Sequence, residues 1–154
     1  MHPYPDLLAV DASTRATGWA TYAGQELTAC NLIRAKNVLD MIEAVRNRLP
    51  HGLPGVLELP QVYRQRQQKG DPNDLIGVAA VAGACAMICT PPIRLVLPRE
   101  WKGTVPKHID NARTLRTLTR AELRIVEACE CPDHLMDNVL DAVGLGLWHL
   151  GRKR

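Results

Sequence analysis

Three carboxylates stand inside otherwise apolar segments of this chain, and that placement restricts how it can fold. Asp11 closes the run Leu7-Leu8-Ala9-Val10, and Glu58 interrupts Val56-Leu57-Glu58-Leu59. Asp141 lies within an apolar stretch that runs from Met136 to Leu150. A carboxylate in such surroundings is expensive unless a cation or hydrogen bonds compensate it. Two of these acids belong to short strand-like runs and the third to a helical pattern. A layered α/β domain is the arrangement that brings strand ends and a helix to one place.

The spacing of apolar residues fills in the rest. Leu7–Val10 reads as a buried strand ending at Asp11, followed by a turn of small residues from Ala12 to Thr17. Trp19–Tyr22 and Glu26–Ile33 read as two further strands joined by a hairpin turn at Ala23-Gly24-Gln25. Asn37 is placed to cap a helix with Val38, Met41, Ile42, Val45 and Leu49 on one side, ended by Pro50. Gly55–Leu59 is a fourth strand. Pro60 to Asn73 is polar and reads as an exposed loop or a fraying helix start. Leu75–Cys89 is a helix of small residues, apolar nearly all round and so expected to be buried. Ile93–Leu97 is a fifth strand. A helix from about Ile109 stacks Arg113, Arg116, Arg120 and Arg124 on one face. A last helix runs from near Pro132 to about Leu150. With no internal repeat or linker, residues 1–154 are expected to form one domain.

Size and composition agree with this. The 154 residues are 46% hydrophobic and 23% charged, enough to bury a full core without disulfides. Five cysteines with no C-x-x-C pair point to reduced thiols. No secretory leader and no membrane span is expected, which leaves a cytoplasmic setting. The net charge of +3 is small, but it is sorted along the chain. Arg94 to Arg124 carries eight Lys or Arg against three acids, whereas Ile125 to Gly151 carries five acids and no Lys or Arg. Basic segments can neutralise phosphates while clustered acids hold divalent cations. On the last helix Asp137 and Asp141 are four residues apart and share a face, with Asn138 on the same side. Oxygen ligands from two strands and a helix can gather two Mg2+ or Mn2+ ions about 4 Å apart for in-line phosphodiester hydrolysis.

These residues carry a family resemblance. LLAVDASTRATGWATY (Leu7 to Tyr22) resembles the opening strand pair of RuvC-like Holliday-junction resolvases. VLELPQVYRQRQQKG followed by DLIGVAAVAGACAMI resembles their Glu-bearing strand, loop and small-residue helix. LPREWKGTVPK resembles the segment that supplies their lysines, and DNVLDAVGLGLW their closing helix. The four pieces occur in the family's order over essentially the whole chain.

The resemblance implies an RNase H-like fold. That is a five-stranded mixed sheet, its first three strands antiparallel, with helices on both faces. It also implies a homodimeric endonuclease that cleaves four-way or branched DNA with two divalent metals, in a bacterial or phage-infected cell. Asp11, Glu58 and Asp141 match metal-binding acids. The family's Asp or His three residues before the last acid falls on Asn138, and Asp137 lies one residue earlier. Either Asn138 ligates through its amide oxygen or Asp137 does so, and a charged oxygen favours Asp137. Lys102 and Lys107 match lysines placed near the scissile phosphate. Tyr63 lies near the position of an aromatic that enters the junction core, where stacking on a base is worth about 1–3 kcal/mol. Arg64, Arg66 and Lys69 would contact phosphates from the same loop, and Arg113 and Arg116 from the helix.

Other readings compete. Related folds process RNA or RNA–DNA hybrids, and a junction-binding module without catalysis is a further alternative. VDASTRATG also resembles the first phosphate loop of actin and sugar-kinase-like ATPases, but those need two such domains and more than twice this length. Cys129, Cys131 and His134 have a partial zinc-ligand spacing without the second pair that a structural site needs.

Overall fold

The computed structural model describes residues 6–64 and 70–154. Five strands, β1 (Leu7–Asp11), β2 (Ala16–Ala23), β3 (Glu26–Arg34), β4 (Pro54–Glu58) and β5 (Thr90–Val96), form one sheet in the order β3-β2-β1-β4-β5. β2 runs antiparallel to both of its neighbours, β1 and β3. β4 runs parallel to β1, and β5 parallel to β4. This is the mixed sheet expected from the sequence.

β1 is central, so its side chains must be apolar on both faces. Leu7 and Ala9 enter one core, while Leu8 and Val10 enter the other. On the second face lie α1 (Val38–Arg48) and α2 (Pro72–Ile88). Asn37 caps α1 as expected, its side chain accepting from the Asp40 N–H. The first face is covered by α6 (Met136–His149), which a single 3-10 turn at Asp133–Leu135 introduces. Short helices α3 (Pro98–Trp101), α4 (Lys107–Thr117) and α5 (Arg120–Glu127) connect β5 to that turn. Tyr22 is fully buried between sheet and helix, and its hydroxyl donates to the Val143 carbonyl of α6 at 2.7 Å. It joins a large apolar contact to a satisfied polar tip.

Three expectations need correction. α2 is not buried all round: only Val81, Ala82 and Cys85 are fully enclosed, and Ile76 and Met87 are 69% and 85% exposed. The helix is an outer layer, so one stripe meets the sheet and α1 while the opposite apolar face lies open. The four arginines do not form one stripe either. Thr119 and Glu122 make a reciprocal capping box that starts a new helix. Arg113 and Arg116 therefore lie on α4, and Arg120 and Arg124 on α5. All four are exposed. The fifth strand also begins earlier than expected, at Thr90, and is an exposed edge with only Val96 buried.

Candidate active site

The parallel pairing fixes where two of the acids meet. Val10 is level with Leu57, so the next residues, Asp11 and Glu58, emerge side by side at the carboxyl ends of β1 and β4. In open α/β sheets that edge is where ligands bind. The turn after Asp11 is held by Thr17, a buried residue whose hydroxyl donates to the Ser13 carbonyl at 2.9 Å and accepts from the Ser13 N–H at 3.1 Å.

Gly18, paired opposite Asp11, faces the backbone of α6. A Cβ there would collide with the Asn138 carbonyl, so only glycine lets the helix approach this closely. The approach brings Asp141, 6% exposed, to the strand ends. Asp11, Glu58 and Asp141 thus share one electrostatic environment.

Two lysines enter from around the α3–α4 connection, Lys102 directly after α3 and Lys107 as the first residue of α4. The Lys102 ammonium lies 3.2 Å from Glu58 Oε2 and 3.8 Å from Asp141 Oδ2. The Lys107 ammonium lies 3.3 Å from Asp141 Oδ2 and 3.7 Å from Asp137 Oδ2. Burial, together with Asp141 and Glu58, raises the Asp11 carboxyl well above the usual range, against the pull of the two lysines. Burial raises Glu58 as well, opposed by Lys102 and by the Trp101 indole. Burial works against the charge on Lys102, but Glu58, Asp141 and Asp11 outweigh it and raise its pKa. Four carboxylates face two ammoniums here, so the site carries excess negative charge.

The structure therefore draws together Asp11, Glu58, Asp141, Lys102 and Lys107. Asp137 joins at the rim: it is exposed, paired with Lys107, and accepts from the Asn111 amide at 2.7 Å. The Asn138 amide turns back on its own helix start, donating to the Leu135 carbonyl at 3.2 Å. Tyr63 and Arg64 are exposed in the segment after β4. Arg66 and Lys69 lie outside the described residues.

The donor set is all oxygen, which suits a hard divalent cation such as Mg2+ or Mn2+. Among the described residues, however, no group of three or more His, Cys, Asp or Glu side chains is already gathered around one point. Lys102 and Lys107 lie among the acids. The partial zinc spacing at Cys129, Cys131 and His134 forms no such group either.

Sequence reasoning missed Trp101. Its indole N–H donates to Glu58 Oε2 at 2.6 Å. The signal was a tryptophan beside Lys102 in the basic segment, read only for its lysines.

No protein family description matches the chain, and no curated protein does. Among solved structures, Thermus thermophilus RuvC matches at 15% identity over 97% of this chain and 98% of that one, with a TM-score of 0.51. The same species' RuvC in complex with a Holliday junction substrate matches at 13% identity over 95% of this chain and 92% of that one, TM-score 0.49. The yeast mitochondrial Holliday junction resolvase Ydc2 matches at 14% identity, covering 97% and 82% of the two chains, TM-score 0.46. The fold is RuvC-like, within the RNase H-like class. No described helix is long and apolar enough to cross a membrane.

Proposed function

We propose that this chain is a metal-dependent, structure-selective endonuclease that cleaves four-way or branched DNA. The observation that carries the reading is the convergence of Asp11, Glu58 and Asp141 with Lys102 and Lys107 at the carboxyl edge of a RuvC-like sheet. Clustered acids in excess over their cations, beside lysines suited to phosphate, fit phosphodiester hydrolysis.

Asp11, Glu58 and Asp141 would hold two Mg2+ or Mn2+ ions, with Asp137 as the fourth ligand in preference to Asn138. Its carboxylate already reaches the Lys107 ammonium that Asp141 shares, whereas the Asn138 amide is engaged with Leu135. Bound divalent ions supply polarisation of a water and neutralisation of charge on the departing oxygen. Lys102 and Lys107 hold the acids' charge until cations enter, and then turn their ammoniums to the substrate's phosphates. Tyr63 and Arg64, with Arg66 and Lys69, grip the branch. Arg113 and Arg116 on α4 contact a duplex arm. The chain acts as a homodimer, for which the open apolar face of α2, with Ile76 and Met87, is the supporting surface.

Digestion of a labelled four-way junction in Mg2+, with Asp141→Asn as control, tests this. Paired nicks that the substitution abolishes are expected. Cleavage of an RNA–DNA hybrid alone would overturn the junction reading, and tight junction binding without cleavage in Mn2+ would overturn catalysis.

A further inference from the structure

Behind the acids lies a second layer that the proposed reaction does not itself use. Trp101 ends α3, is 6% exposed, and donates its indole N–H to Glu58 Oε2. At 2.6 Å this is a short, charge-assisted hydrogen bond. The ring is also flanked by cations, with the Lys102 ammonium 4.7 Å and the Lys153 ammonium 5.0 Å from its centroid. Both distances suit a cation–π contact.

Lys153 is an unusual residue to find inside. It is 5% exposed, follows the end of α6, and pairs at 2.7 Å with Asp110 of α4, itself 4% exposed. The contact is a close ion pair without an aligned hydrogen bond, which leaves the aromatic face as a further partner of the ammonium. Room for this arrangement comes from Gly144, three residues beyond Asp141 on α6. A Cβ there would lie 2.7 Å from Thr114 Oγ1, 2.9 Å from the Lys153 ammonium and 3.4 Å from the Trp101 ring. The segment also folds back through its backbone, because the Lys153 N–H donates to the Leu147 carbonyl at 3.2 Å.

We infer that Trp101 positions the Glu58 carboxylate, and that the buried Lys153–Asp110 pair holds the indole, making the segment after α6 part of the scaffold of the site. Glu58 Oε2 receives two partners of different character. Lys102 is a long flexible chain that must leave if it is to meet a phosphate. The indole is rigid and enclosed, so it keeps the carboxylate oriented when Lys102 departs. Partners that orient a ligating carboxylate in this way typically change cation affinity by 10–100-fold when removed. The consequence for cations rests on the metal-holding role proposed for Glu58. The hydrogen bond and its backing do not.

Nitrogen-15 spectra of the metal-free protein test the positioning directly. Three indole N–H signals are assigned by Trp→Phe substitution of Trp19, Trp101 and Trp148. The Trp101 signal is expected far downfield and slow to exchange, and Glu58→Gln should move it upfield. Replacing the pair together, Lys153→Met with Asp110→Leu, avoids leaving one buried charge and should retain the fold. It should speed exchange of that indole proton, because the enclosure that protects it opens more readily. Calorimetric titration with Mn2+ forms the second arm, in which Trp101→Phe should weaken binding about tenfold. A Trp101 signal indifferent to both Glu58→Gln and the pair replacement would overturn the inference, and so would wild-type Mn2+ affinity in a folded Trp101→Phe protein when Glu58→Gln lowers that affinity. Should Trp101→Phe fail to fold, the spectra of the other two variants still decide. If the wild-type protein binds no Mn2+ while the spectral dependence holds, the metal reading falls and the positioning stands.

Discussion

Two carboxylates of this protein, the buried Glu122 and the half-buried Asp11, lie in opposite electrostatic circumstances. Glu122, at the start of α5, accepts from the Leu27 N–H at 2.8 Å, from the Thr119 N–H at 2.8 Å, and from both terminal nitrogens of Arg152 at 2.6 and 2.8 Å. Burial alone would raise its pKa, but these donors outweigh it and hold the carboxyl at about 2. Asp11 is pushed the other way by burial and by two neighbouring acids. Glu122 is completed by its own chain and ties α5, the edge of β3 and the segment after α6 together. Asp11 is left in negative company that further cations would relieve. An acid that the protein satisfies is architecture, and one that it crowds is a candidate for chemistry.

Substitution should separate the two. Glu122→Gln leaves the half-buried Arg152 guanidinium without its counter-ion and is expected to cost about 3 kcal/mol of stability, read by urea unfolding. Asp141→Asn should do the reverse, leaving unfolding nearly unchanged while junction cleavage falls by more than about a hundredfold. Asp11→Asn removes a charge that the metal-free fold disfavours. It should stabilise the metal-free protein by about 1 kcal/mol in a thermal melt and abolish cleavage. A destabilised Asp11→Asn protein would break the comparison.

The acid range sharpens it further. Glu122 has a folded pKa below its ordinary value of 4.5, so its stabilising contribution is complete above that value and is lost as pH falls toward about 2. Asp11 has a folded pKa above its ordinary value of 3.8, so stability falls as pH rises from there through the raised value. Metal-free melting curves of Glu122→Gln and Asp11→Asn should therefore differ from wild type with opposite slopes. The smallest effect is expected on α4, where Arg113→Ala and Arg116→Ala should each lower the salt dependence of junction binding by about one unit of slope.

Much of this was legible because local chemistry and global fold agree. The hairpin between β2 and β3, the Asn37 cap and the strand ending at Asp11 are written in short-range pattern. Asp11, Glu58 and Asp141 stood out because charge inside apolar runs has no local explanation. What escaped depended on layering or on long-range partners. The composition of α2 is apolar nearly all round, but composition cannot say that one side faces outward. The arginine stripe was over-read, since the Thr119-x-x-Glu122 capping signature was there to break the helix. Trp101, Lys153 and Arg152 gain their meaning from residues 43, 43 and 30 positions away, a reach that periodicity does not have.

Gly18 has a wider consequence. The standoff between the sheet and α6 is set by a side chain that is missing, so the gap behaves as a manufacturing tolerance of one methyl group. A mutational survey should find this position as intolerant as the acids, although it carries no reactive group. Redesign of the site for another cation or another substrate would have to keep that clearance before choosing any ligand. In the fragment Asp11–Gly18 the chain thus specifies a donor and, seven residues on, how near its helical counterpart can come.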